Sequence, residues 1–147
     1  MTFNICSDYA NNYDLVFNVS KTICTVVGKP KFTVSNVFMD NSVINWTDRF
    51  KYLGVYFISG FDLSVDVAPS MRKFYVACNS LNARCHGLAE PIRVQLVKSF
   101  CLPFITYCIG ANNLKYSAVQ QLSVCWNDAF RYIFRFKRSD VSEIFTS

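Results

Sequence analysis

Several features that would place this sequence quickly are missing from it. Its ten acidic residues are scattered singly, with no two adjacent anywhere in 147 positions. That leaves no paired-carboxylate turn of the kind that holds two metal ions for phosphoryl transfer. The seven cysteines include no C-x-x-C pair, and no N-terminal stretch reads as a secretory signal, so reduced thiols in an intracellular compartment (cytoplasm or nucleus) are expected. The apolar run from Val94 to Ile109 contains Lys98 and Pro103 and is too short and too interrupted to span a bilayer, so no membrane association is expected. Repeats, low-complexity tracts and linkers are absent. There is one histidine, His86, beside which the sequence places no acid or nucleophile.

Charged residues make up 17% and hydrophobic residues 52%, a balance that excludes a disordered chain. The length suits one compact domain or two small lobes. Aromatics reach 16%, with fourteen phenylalanines; this calls for a large core or for apolar surface that meets other parts, and it favours self-association. Lysine and arginine gather late in the chain, and a net charge of +5 leans weakly toward a polyanionic partner. Cys78, Cys85, His86, Cys101 and Cys108 invite a zinc reading, but their spacing matches no usual finger or knuckle and the four cysteines fall in apolar helical stripes. Buried free thiols, with no metal, are the expectation.

Along the chain, Thr2 to Asn12 reads as a short helix ending in a polar pair. Leu15-Val16-Phe17 and the β-branched run Thr22 to Val27 follow, closed by Gly28-Lys29-Pro30. Phe32–Met39 and Val43–Trp46 read as a hairpin about Asp40-Asn41-Ser42, and Phe50–Ile58 reads as a further strand. Strands are expected between about residues 15 and 58. Beyond Gly60 the period changes to that of helices. Val67, Met71, Phe74, Cys78, Leu81 and Cys85 form one amphipathic stripe, with Asp66 as N-cap and Pro69 in the first turn. A second helix opens at Glu90-Pro91, with Ile92, Leu96, Phe100, Phe104 and Tyr107 on one side and a kink at Pro103. A third runs from about Ser117 to Phe136 or slightly beyond, with core positions Val119, Leu122, Trp126, Ala129, Phe130 and Ile133. The fold expected is α+β: a small antiparallel β unit over 1–60, then a three-helix bundle over 61–147.

Two short motifs carry more than periodicity. Phe17-Asn18-Val19-Ser20-Lys21-Thr22 resembles the F-N-x-x-K-T loop-strand of reverse transcriptases from LINE-type (non-LTR) retrotransposons, and Phe50-Lys51-Tyr52-Leu53-Gly54-Val55 resembles the last hairpin of their palm. Val97-Lys98-Ser99-Phe100-Cys101-Leu102-Pro103 is similar to the family's L-F-x-S-Y-C-x-P run, and Asn127-Asp128-Ala129-Phe130-Arg131 to its Y-N-D-A-x-R signature. Ser70–Leu81 looks like the family's thumb helix, and Ser142–Phe145 like the tail that follows. The resemblance implies the C-terminal palm and thumb of an RNA-directed DNA polymerase. In the complete enzyme the partners are an RNA template and a DNA primer, with Mg2+ at a Y/F-x-D-D turn. That turn is expected upstream of this chain, which should hold no cofactor and be catalytically silent. Asp14 departs from the glycine often found at its place in the family.

By the same resemblance, Lys21 would be the ancestral general acid protonating pyrophosphate as it leaves, and Lys51, Tyr52, Leu53, Gly54 and Val55 would grip the primer. Read from the residues alone, Lys21 is a surface lysine beside a strand, with Asn18 capping the turn, and Lys51–Val55 an ordinary core strand with one bulge glycine. Arg131, Arg135 and Arg138 stand at i, i+4 and i+7 and could track phosphates along one helix face; equally, they suit a solvated face near a helix C-terminus, where cations offset the dipole. A non-catalytic nucleic-acid-binding or interaction module derived from the thumb is the alternative to a polymerase fragment.

Overall fold

The polar Asn11-Asn12 pair ends the first helix, α1 (Thr2–Asn12), as its composition implies. The backbone N–H of Leu15 returns to the Ala10 carbonyl at 2.9 Å, and Asp14 takes a left-handed conformation, φ 52°, the geometry with which helices commonly close. The computed structural model describes residues 2–29, 35–39, 42–110 and 114–136. The fold is α+β, and the chain divides between Ser64 and Val65 into two compact units.

In the first unit, Leu15-Val16-Phe17 forms no strand. A 3-10 turn at Val19–Lys21 follows instead, because the Asn18 side chain accepts from the Lys21 N–H at 3.2 Å and the Ser20 hydroxyl at 2.6 Å. These local bonds compete with an extended backbone. The β-branched run Thr22–Val27 contributes only β1 (Ile23–Cys24). β2 (Val37–Met39) and β3 (Ser42–Trp46) are the expected hairpin, with Met39 opposite Ser42; Phe32 to Val34 and the tip residues Asp40-Asn41 lie outside the described residues. β1 joins β3 in parallel, Ile23 opposite Asn45, so this part of the sheet departs from the antiparallel expectation. Met39 and Ile44 are the buried residues of the pair.

Residues 49–58 are two strands rather than one. β4 (Arg49–Tyr52) and β5 (Val55–Ile58) pair antiparallel, with Tyr52 opposite Val55. The two residues between them, Leu53 and Gly54, both have positive φ, 45° and 84°. That is a type I′ turn, whose twist matches a two-residue hairpin. Periodicity missed it because leucine, a γ-branched residue with a Cβ penalty at positive φ, is not a turn signal.

The chain passes β6 (Ser64–Asp66), a short strand beyond the expected range, and enters α2 (Ala68–Cys85). Asp66 Oδ1 accepts from the Ala68 N–H at 3.1 Å, and Pro69 sits in the first turn, where its missing N–H is not required. The second expected helix is broken into α3 (Glu90–Leu96), a five-residue π turn at Val97–Cys101, and α4 (Pro103–Gly110), bent by 45° overall. The Leu102 N–H reaches back five residues to the Val97 carbonyl at 2.9 Å, and Pro103 then opens a new helix. The buried side is Arg93, Val97, Cys101, Ile105 and Cys108; Ile92, Phe100, Phe104 and Tyr107, expected as the core stripe, are exposed. The last helix, α5 (Tyr116–Phe134), stops short of Phe136 because Arg135 turns left-handed, φ 58°.

The core of this second unit collects Phe74 and Cys78 from α2, Val97 and Cys101 from the π turn, Ile105 from α4, and Leu122, Cys125, Ala129 and Ile133 from α5. Phe74 is fully buried, which alone contributes about 1.5–3 kcal/mol. Val119, expected in the stripe, is exposed, and Cys125 takes a core place instead. Cys78, Cys101, Cys108 and Cys125 are buried free thiols, while Cys85 is half-buried. Burial pushes the Cys78 thiol up to about 12, with the neighbouring Cys101 adding to it. Burial likewise raises Cys101 and Cys125.

Candidate functional site

The sequence-predicted residues of the first unit are spread over two local structures. Lys21 closes the 3-10 turn that packs beside β3, its side chain exposed and its backbone N–H held by Asn18. Lys51 to Val55 form the tip of the β4–β5 hairpin, and they do not share one face. Lys51 lies on the same side as Arg49, and both cations stand over the Tyr56 ring, at 5.7 and 5.1 Å from its centroid. Tyr52 and Val55 lie on the other side, with Phe50 stacked on Phe57 at 5.4 Å. Val55 is buried, and Leu53, expected to pack beneath a sugar-phosphate, projects from the tip with 72% of its surface exposed. The hairpin thus offers a cationic face, an aromatic face and an exposed tip.

In the second unit, Arg131 and Arg135 do not continue one helix face together. Arg131 is in the last turn of α5, Arg135 is the left-handed residue that ends it, and Arg138 lies outside the described residues. What α5 does build is a concave pocket of about 490 Å³, lined by Asn82 and His86 from the end of α2, Arg93 from α3, and Asp128, Arg131, Tyr132, Arg135 and Phe136. Three arginines therefore face one carboxylate. Asp128 is engaged in orienting its neighbours: Oδ1 accepts from Arg131 Nη1 at 2.9 Å and Oδ2 from the Tyr75 hydroxyl at 3.0 Å. Burial and hydrogen bonds to Cys125 and Asp128 raise the Tyr75 phenol well above its ordinary value, so it stays a donor.

Arg93 is the unusual member. It is 8% exposed, yet the carboxylate it pairs with, Glu90, is 3.8 Å away and 55% exposed. One guanidinium nitrogen, Nη2, donates to the Ile133 carbonyl at 2.6 Å, while the buried Nε–H has no partner, nor does the buried Oδ1 of Asn82. A buried cation with so little compensation is costly. Sequence reasoning did not single out Arg93 or Asn82, because it followed only the apolar stripes of these helices. The signal in the sequence was the four-residue step from Arg93 to Val97, neighbours on one helix face.

Among the described residues no group of three His, Cys, Asp or Glu could hold a metal ion. Comparison with family models, with curated proteins and with solved structures gives no match.

Proposed function

We propose that this chain is the C-terminal palm and thumb portion of a LINE-type RNA-directed DNA polymerase, with the first unit as the end of the palm and the second as the thumb. The observation that carries the reading is backbone conformation at two motif positions. Asp14 stands where the family often has glycine, and its φ is 52°, a conformation that favours glycine. Leu53-Gly54 turns the Lys51–Val55 motif into a hairpin, which the resemblance implies and the hydrophobic pattern does not. In this reading the hairpin tip meets the primer strand, Lys21 is the ancestral proton donor to pyrophosphate, and Arg131, Arg135 and Arg138 contact backbone phosphates. RNA template and DNA primer are the partners of the complete enzyme, and the chain by itself extends no primer. The purified chain should bind an RNA–DNA duplex weakly, without sequence preference, with log affinity falling against log salt. Each phosphate contact contributes a slope of about −0.9. Binding that is absent at low salt overturns the reading, as does primer extension by the chain alone.

A second reading, a binding module with no polymerase role, is favoured by the basic pocket of the second unit, which is complete without the first. Duplex binding that survives when Lys51 and Tyr52 are replaced by alanine supports that module over the polymerase fragment.

A further inference from the structure

We infer that the pocket between the ends of α2, α3 and α5 is a binding site for a phosphate group carried on a ligand of mononucleotide size. This goes beyond the polymerase reading, in which arginines track a strand along an open surface; here they converge on a concave hollow.

Three observations carry it. First, charge: Arg93, Arg131 and Arg135 line the hollow against a single carboxylate, Asp128, whose two oxygens already accept from Arg131 and Tyr75. Asp128 fixes the Arg131 fork more than it fills the hollow. Second, burial: the Arg93 side chain is 10% exposed, and the carboxylate it pairs with, Glu90, is 3.8 Å away and 55% exposed. A guanidinium has five donors, and Arg93 commits Nη2 to the Ile133 carbonyl. A buried cation in that state is stabilised by an anion able to accept several donors at once, and phosphate is matched by the arginine fork. Third, size and walls: about 490 Å³ lies within the range of small-molecule sites, far more than one inorganic phosphate fills. The remaining walls include Tyr132, Phe136 and His86, aromatic surfaces against which a planar base can lie.

The ligand chemistry has two sources, a free nucleotide or the phosphorylated end of a nucleic-acid strand. Calorimetric titration of the full chain with adenosine monophosphate, inorganic phosphate and adenosine, at constant ionic strength set by sodium chloride, tests the site. Adenosine monophosphate should bind, phosphate should compete with it, and adenosine should not bind. Arg135→Gly removes one cation while giving the left-handed position the residue that favours it, so it should melt no lower than the native chain and bind the nucleotide about tenfold more weakly or worse. Arg131→Gln is the second variant and should weaken binding similarly. Adenosine binding as well as its monophosphate, or unchanged affinity in both variants, overturns the site. Competition by a 5′-phosphorylated single strand, with none by its 5′-hydroxyl counterpart, assigns the ligand to a strand end; its absence assigns a free nucleotide. Duplex binding that is unaffected by Arg135→Gly while the nucleotide is lost keeps the pocket and removes Arg135 from the duplex contacts of the polymerase reading, leaving those of the hairpin tip. Nucleotide binding without any duplex binding keeps the pocket and removes the polymerase reading.

Discussion

Arg93 donates a hydrogen bond of 2.6 Å to the carbonyl oxygen of Ile133, forty residues further along the chain. Ile133 is in the last turn of α5, where carbonyl groups have no partner within the helix, so α3 supplies a cap that α5 cannot make for itself. The left-handed Arg135 supplies part of the rest, its N–H returning to the Arg131 carbonyl.

Replacing Arg93 with methionine keeps much of the side-chain volume but orphans that carbonyl. The loss should be about 2–4 kcal/mol, combining a charged hydrogen bond and an unsatisfied acceptor. Glu90→Gln, by contrast, keeps a polar group at the exposed end of a pair already 3.8 Å long and should cost about 1 kcal/mol or less. Urea denaturation of the two variants separates these roles. Equal losses would mean that the carbonyl bond to α5 adds nothing beyond the ion pair within α3.

Alkaline pH should unfold the second unit early. Cys78, Cys101, Cys125 and Tyr75 all have folded-state values raised by burial, Cys78 from 9.0 to about 12. The unfolded chain therefore releases these protons first. Stability is fully present below pH 9 and falls as the pH rises toward 12. Melting temperature followed from pH 7 to 11 should be flat at first and then drop. Replacing Cys78 with alanine should lower the plateau by opening a cavity while making the alkaline decline shallower.

Two backbone positions carry a cost that substitution should recover. Asp14→Gly and Leu53→Asn each place a residue better suited to positive φ. Each should gain about 0.5–1 kcal/mol in the first unit. Loss of stability in either variant would mean that its side chain contributes more than its conformation costs.

Much of this fold was legible where one interaction dominates. The helix α1, the β2–β3 hairpin and the α2 stripe through Phe74 and Cys78 follow from period and punctuation alone. Legibility failed where tertiary or local bonds overrode the pattern. Asn18 wound Val19–Lys21 into a turn, Leu53 accepted positive φ without advertising it, and Arg93 was buried for the sake of a distant carbonyl. The i, i+4, i+7 spacing of the arginines assumes a helix running past Arg135, whereas α5 ends at Phe134. Arg131 and Arg135 still meet, but around a hollow whose other members come from α2 and α3.

The π turn at Val97–Cys101 decides where Arg93 points. Twelve residues separate Arg93 from Ile105, and an unbroken α-helix would rotate them about 120° apart. The one surplus residue of the π turn takes back about 100° of that, which lets a guanidinium and an aliphatic core residue share one buried side. The geometry of the hollow is thus written in chain length more than in residue identity. Loss of one residue from the π turn would leave eleven ordinary helical steps and the same phase of about 20°, so Arg93 would keep its place, whereas one further residue without a second bulge would swing it about 120° from Ile105 and uncap α5.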